Sequence, residues 1–244
     1  NMTLRHPSEV HSIINEDQKD QAVGVHVIDT NTKESIEYYA RVIFVNAGAY
    51  NTNLILLNSK SKRFPNGLGN DNGIMGKYAA FHNYRGHIYA KYDGFKDTTT
   101  KGGRRPTSAY MPRFRNLYKQ ETDFLRGYAL TFGAERSSYN DTNGFGDSLK
   151  DNLLEKATLG PWSIGSQMMG ETIPKETNSL SLDTEKKDDW GVPLLRINIS
   201  YDDNDEKMIK DFSEQMTEMY SKAGFTDIQT IDSKQAPGLD IHHM

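Results

Sequence analysis

The sequence predicts an α+β fold, in which an antiparallel β-sheet with one or two covering helices is inserted between pieces of an α/β domain. Three observations predict it. The first part of the chain holds short β-rich runs and one apolar run, 41–45, that leads into a helix signal. From Tyr84 the pattern changes to longer alternating runs, typical of strands buried on one face. A strongly amphipathic segment follows Tyr201.

In the first part, polar turns separate three short strands, predicted at 3–5, 10–14 and 22–28, and a hairpin signal at 31–33 precedes a fourth at 35–39. The run Arg41-Val42-Ile43-Phe44-Val45 is continuously apolar after its first residue, which predicts a strand buried on both faces. Asn51 and Thr52 then cap a short apolar helix.

In the second part, alternation predicts strands at 84–92, 108–114, 124–137, 163–173, 179–183 and 194–201, with a helix over 147–157. The residues after Tyr201 cap the clearest helix of the chain, which Gly224 closes. Its apolar residues fall on one face at helical spacing: Met208, Ile209, Phe212, Met216, Met219, Tyr220 and Ala223. A last strand is predicted at 227–231.

Composition excludes several classes of protein. The net charge of -4 and the pI near 6.0 give no argument for binding nucleic acid or an anionic membrane. No apolar run approaches the ~20 residues that span a bilayer. Without cysteine the chain has no disulfide framework, thiolate nucleophile or cysteine-based metal site, and the compartment stays open.

The predicted strand, the turn Ala47-Gly48-Ala49 and the helix start form an arrangement that can bind phosphate. Small residues let the backbone approach a ligand, and the free N–H groups at a helix start attract anions. A plain strand-to-helix turn is the alternative. The glycines between Gly67 and Gly73 do not match the spacing of a dinucleotide fingerprint, so we interpret this run as a loop.

The seven histidines are scattered, and none is paired at the i, i+4 spacing of a helical metal site, so no metal site is predicted. The chain opens at Asn1 without an initiator methionine and stops just after His242 and His243. These abrupt ends suggest an internal fragment of a larger protein.

Taken together, the motifs resemble the glucose–methanol–choline (GMC) family of flavin-dependent oxidoreductases. The resemblance rests on four segments in the family's order: 41–59 with its Ala-Gly-Ala turn, 76–82 ending in His82, 178–193, and His243-Met244. Asn53 departs from the usual Pro or Ser. Met169–Leu180 and the approach Pro237-Gly238-Leu239 to His242 look closest to the pyranose oxidase-like branch.

The resemblance implies FAD as cofactor and oxidation of an alcohol, of a sugar or polyol, by hydride transfer to the flavin. Residues 1–83 would be a partial Rossmann-like FAD-binding domain, 84–232 the substrate-binding domain, and 233–244 the return to the FAD domain. His243 matches the family's acid/base, a role that suits a neutral imidazole. The implied cofactor contacts are Val10, Ala47, Gly48, Ala49 and His242.

Gln167 and Glu171 are candidates for the substrate-facing side of the inserted sheet, with a structural role as the alternative. The expected partners are a small-molecule alcohol or sugar and an electron acceptor that the sequence does not identify. Because the phosphate-binding fingerprint and the second catalytic residue of the family are absent, the fragment alone is expected neither to bind FAD tightly nor to turn over. Two other functions stay open: a carbohydrate-binding or structural module without redox activity, and a different flavin or nicotinamide enzyme.

Overall fold

The computed structural model describes residues 3–19, 21–98, 108–139, 142–155 and 158–234. The elements are β1 (Ser8–Glu16), β2 (Gln21–Asp29), β3 (Ser35–Tyr39), α1 (Gly48–Asn58), β4 (His82–Asn83), β5 (Gly86–Tyr92), β6 (Ala109–Met111), β7 (Tyr128–Tyr139), α2 (Asp147–Leu154), β8 (Thr158–Glu171), β9 (Ser179–Lys187), β10 (Pro193–Asn198), α3 (Asp203–Lys222) and β11 (Thr226–Asp232). All strand pairs are antiparallel, so the predicted α+β class is confirmed.

The chain forms two compact units. The first contains the described parts of Asn1–Ala80 and Ile173–Ser200, and the second those of Phe81–Thr172 and Tyr201–His243. The hairpin β9–β10 belongs to the first unit, because it packs against α1. The division into an FAD-binding part, 1–83, a substrate-binding domain, 84–232, and a return segment, 233–244, stays a prediction.

The first unit combines a three-stranded sheet, in the order β1-β2-β3, with the two-stranded sheet of β9 and β10. The end of α1 is fixed to β1 by side-chain hydrogen bonds. The backbone N–H of Ile13 donates to Ser59 Oγ at 2.7 Å, and Asn58 Nδ2 donates to the backbone carbonyl of His11 at 2.9 Å. These bonds satisfy backbone groups on the β1 edge that does not pair with β2.

The predicted buried strand at 41–45 is wrong, because these residues form no strand and none of them is buried. Val42 is 67% exposed and Phe44 81%. A strand buried on both faces needs hydrogen-bonded neighbours and covering layers, and no described strand pairs with this segment. The strand–turn–helix arrangement is therefore present only as turn and helix, and a Rossmann-like sheet is not formed by the described residues.

The second unit is built on a six-stranded sheet in the order β11-β5-β8-β7-β6, with β4 paired to β8. α3 covers one face and forms the core with it. The buried residues of this core are Ile88, Ala90, Phe124, Tyr128, Leu130, Met168, Met208, Ile209, Phe212, Met216 and Tyr220. The predicted apolar face of α3 is thus confirmed at Met208, Ile209, Phe212, Met216 and Tyr220.

α3 begins with a capping box at Asp202. Its carboxylate accepts from the backbone N–H of Asp205 at 3.2 Å, and the Asp205 carboxylate accepts from the N–H of Asp202 at 2.9 Å. Three acidic residues in the first turn lie at the positive end of the helix dipole. The start of α3 is therefore specified locally, by the sequence that precedes the apolar face.

A buried arginine joins three elements of the second unit. The side chain of Arg85, directly before β5, is fully buried and donates to Glu206 in α3 and to Asp232 at the end of β11. Its guanidinium also lies 4.6 Å from the ring centroid of Tyr201. Paired and stacked in this way, a buried charge is tolerated.

Candidate functional site

α1 starts at Gly48 in the turn that the sequence analysis singled out. Ala47 is its N-cap residue, and no side chain caps the helix start. The first turn, which is described completely, holds no acidic residue. The first N–H groups of α1 therefore keep the anion-binding capacity of an uncapped helix start.

Two further observations concern the start of α1. Gly48 has a φ of 75°, in the left-handed region, and a Cβ at this position would meet nothing within 4 Å. The hydroxyl of Tyr50 is buried and has no hydrogen-bond partner among the described residues. Burial raises the pKa of this phenol, so it stays a neutral donor. The turn therefore leaves room for a ligand beside free helix N–H groups, which attract anions.

Val10 lies in β1 opposite Val27 of β2, and its side chain is 39% exposed. A β-bulge follows directly, between Val10 and Ser12. Bulges redirect the strand and leave a residue unpaired, which is compatible with a backbone contact here. The contact with adenine stays a prediction.

The six-stranded sheet carries a polar side opposite α3, which we call the open face. Ile88, Leu130, Ser166 and Met168 are buried toward α3, and because side chains alternate along a strand, their neighbours point the other way. The open face includes His87, Tyr89 and Lys91 of β5, Ser163, Gly165 and Gln167 of β8, Thr131, Gly133 and Glu135 of β7, and Gln229 of β11.

Gln167 lies near the middle of the open face. It is opposite His87 on one side and Thr131 on the other, and Thr131 is in turn opposite Tyr110 of β6. Directly opposed side chains lie about 4.5–5.5 Å apart at Cβ. This row of amide, imidazole, hydroxyl and phenol groups could hydrogen-bond a polyhydroxylated molecule.

Glu171 ends β8 on the same face, opposite His82 of β4. Its carboxylate is half exposed and lies 3.5 Å from a guanidinium nitrogen of Arg113. The pair is a solvated ion pair of the kind that contributes little to stability. The structure therefore places Gln167 and Glu171 on one strand and one face. That this face meets the substrate stays a prediction.

Sequence reasoning missed the other members of the Gln167 row. His87 and Thr131 lie between apolar or small residues in alternating runs, and Tyr110 lies in a short strand between Ala109 and Met111, but alternation gives no strand order. Only the pairing of β5, β8, β7 and β6 brings them together. His242 and His243, the predicted cofactor and acid/base residues, lie outside the described residues.

Within the described ranges, no group of three or more His, Asp or Glu side chains could hold a metal ion. The three described helices include none that is long and apolar enough to cross a membrane.

Comparison with known proteins gives one informative similarity. No family model matches the chain. The chain is similar to 2-methyl-1,2-propanediol dehydrogenase from Mycolicibacterium austroafricanum, with 29% identity over 205 residues, covering 76% of this chain and 34% of that protein. The chain thus spans about a third of the length of the curated relative that it matches.

Proposed function

We propose that this chain is part of an oxidoreductase that acts on an alcohol. The observation that carries the proposal is the similarity to a diol dehydrogenase over most of the chain. We further propose that the enzyme is a GMC-type flavoprotein using FAD, with a sugar or polyol as substrate. This finer assignment is supported by the ordered motifs at 41–59, 76–82 and 178–193.

In this proposal the open face of the second unit receives the substrate. Gln167, His87 and Thr131 offer both donors and acceptors in one row. A site built to hydrogen-bond several hydroxyls discriminates against analogues that lack them, because its polar groups are then left unpaired. Gln167 is thus a substrate-positioning residue, and Glu171 with Arg113 borders the same face.

The turn at Ala47, Gly48 and Ala49 would hold the FAD diphosphate, and the backbone at Val10 would contact adenine. When bound, FAD supplies the acceptor for the hydride that an alcohol loses on oxidation. The protein's part is to bind and orient the cofactor, and the uncapped start of α1 suits the diphosphate charge.

His243 would take the hydroxyl proton of the substrate at a ring nitrogen. A neutral imidazole with a pKa near working pH is suited to that step. His242, its neighbour in sequence, would contact the cofactor.

The test uses the longest natural protein that contains this chain. Purified, it should carry flavin, seen as absorbance near ~450 nm that an alcohol or sugar substrate bleaches under anaerobic conditions. Flavin-free protein that reduces NAD(P)+ to NAD(P)H with an alcohol would overturn the FAD assignment and retain an alcohol oxidoreductase. Flavin-free protein that binds sugars without any redox activity would replace the proposal with a carbohydrate-binding module.

A further inference from the structure

The open face contains a trough where two glycines face each other. Gly133 of β7 and Gly165 of β8 are directly opposite in register, and Tyr89 of β5 is opposite Gly165 on the other side. A Cβ added at Gly133 would meet nothing within 4 Å, whereas one at Gly165 would lie 3.4 Å from two carbons of the Tyr89 ring. The ring therefore borders a strip of sheet that carries no side chains.

Polar side chains surround this strip and define a cavity of about 470 Å³. Gln229 is opposite Tyr89, and Ser163 lies between Lys91 and Glu135 in the next row. Lys91 also forms an ion pair with Asp227 at 3.2 Å, and both of these side chains are more than half exposed. The rim thus offers an amide, a hydroxyl, an ammonium and carboxylates around one aromatic ring.

This chemistry suits one class of ligand. Tyr89 is 49% exposed, so its ring can pack against the C–H face of a saturated ring or carbon chain. One ammonium and two carboxylates give the rim no net positive charge, which disfavours a phosphate or another anion. The mixture of donors and acceptors instead matches hydroxyl groups, each of which both donates and accepts. The volume is within the usual range for small-molecule sites, roughly 300–1,000 Å³.

We propose that this Tyr89–Gly133–Gly165 trough is a binding subsite for a neutral sugar or polyol. The subsite lies on the same face as Gln167 and so extends the proposed function, but binding there requires neither flavin nor catalysis. It would hold a part of the ligand away from the Gln167 row and thereby favour extended or glycosylated substrates over small alcohols.

The test measures binding of methyl α-D-glucopyranoside and of sorbitol to the full chain by isothermal titration calorimetry. A ligand of this size in an open site is expected to reach a dissociation constant on the order of 1 mM. Tyr89→Ala removes the ring, and Gly133→Val fills the trough at a position where the added carbon meets no neighbour. Each should weaken binding by about tenfold or more, the loss expected for an anchoring contact.

Tyr118→Ala is the matched control, because Tyr118 is a fully exposed tyrosine of the same unit outside the trough. It should leave the affinity unchanged. Circular dichroism and thermal melting confirm that each variant is folded, and Gly133→Val still tests the trough if Tyr89→Ala does not fold.

The subsite would be overturned if folded wild-type protein showed no saturable binding of either polyol, or if binding survived both trough variants. Equal binding of cyclohexanol, which has a ring but one hydroxyl, would also overturn it, because the polar rim would then play no part. If the longer wild-type protein binds a polyol but the polyol does not reduce a flavin in it, the redox proposal is rejected and the subsite is kept.

Discussion

The guanidinium of Arg85 donates to both carboxylate oxygens of Glu206, each at 3.0 Å, across 121 residues of sequence. The same side chain contacts Asp232 through Nε at 2.9 Å. Burial alone would lower the pKa of Arg85, but the hydrogen bonds to Asp232 and Glu206 raise it, so the arginine stays charged. One cation thus fastens β5, α3 and β11 to each other.

Removing both carboxylate charges should destabilise the second unit strongly. Glu206→Gln with Asp232→Asn leaves Arg85 buried without a counter-charge, and we expect a loss of roughly 3–5 kcal/mol in the free energy of unfolding. Each single variant should cost less, because the other carboxylate remains. Urea denaturation of the three variants measures the effect, and strict additivity would argue against a shared network.

The Glu206 pair should also make stability depend on pH. Hydrogen bonds from Arg85 lower the pKa of Glu206 from 4.5 to about 2, and Lys234 contributes. A carboxyl whose pKa is lower in the folded state stabilises the fold above its unfolded pKa, and this stabilisation disappears as the pH falls through the folded value. The effect is modest because the Glu206 side chain is 43% exposed.

The measurement compares thermal midpoints of wild type and Glu206→Gln. The midpoints should differ most above about pH 5 and converge toward about pH 2. A difference that stays constant over this range would mean that Glu206 does not titrate with a lowered pKa.

Tyr128→Phe removes one buried hydrogen bond with little change of shape. The phenol donates to Asp211 at 2.7 Å, and burial followed by this hydrogen bond raises the pKa of Tyr128. Asp211 keeps its bonds from Arg115, so the loss should be about 1–2 kcal/mol by urea denaturation. Tyr118→Phe, at a fully exposed position, should change stability by less than about 0.5 kcal/mol.

Replacement by alanine should lower the stability at Gly86 in β5 but not at Gly133 in β7. A Cβ at Gly86 would lie 2.7 Å from the Phe212 ring and 3.1 Å from Met168 Cβ, both in the core. We expect Gly86→Ala to cost about 1–3 kcal/mol. Gly133→Ala meets no atom, and the lower entropy of its unfolded chain should make it neutral or stabilising by up to about 1 kcal/mol.

Chemical denaturation of the two variants compares their free energies of unfolding, and Gly86→Ala should be the less stable. If Gly86→Ala were as stable as Gly133→Ala, the packing of α3 against β5 would be looser than the distances indicate.

His243→Asn in the longer protein should slow anaerobic flavin reduction by ~10²–10⁴-fold, the usual range for a lost acid or base. His26→Asn, a substitution of the same type on β2, is the control and should leave the rate near that of wild type. Normal reduction by the His243 variant, measured by stopped-flow absorbance, would remove its assigned role while leaving the flavin assignment in place.

Local patterns predicted the parts of the fold that local interactions specify. α3 carries its own capping box and apolar face, and it forms where expected, with Gly224 just after its end in the left-handed region. The alternating runs likewise predicted β5, β7 and β8. In these segments the pattern and the packing agree.

The features that the sequence did not predict depend on contacts between residues far apart in the chain. The run at 41–45 has the composition of a buried strand, but composition alone does not supply neighbouring strands, and Phe44 is exposed. The alternation along β5 assigns Arg85 to the polar face with His87 and Tyr89, yet its side chain is buried. The carboxylates that make this possible lie more than a hundred residues away in sequence. The open face depends in the same way on strand order, which determines that Gln167 has His87 and Thr131 as neighbours.

The placement of β11 next to β5 has a consequence for synthesis of the chain. As residues leave the ribosome in order, β5 through β8 can pair while the edge of β5 and the α3-facing side of the sheet are still uncovered. Only when α3 and β11 emerge can the core close and Arg85 meet its carboxylates. During translation the nascent sheet therefore exposes a pairing edge and an apolar face, which are the features that chaperones bind and that lead to aggregation.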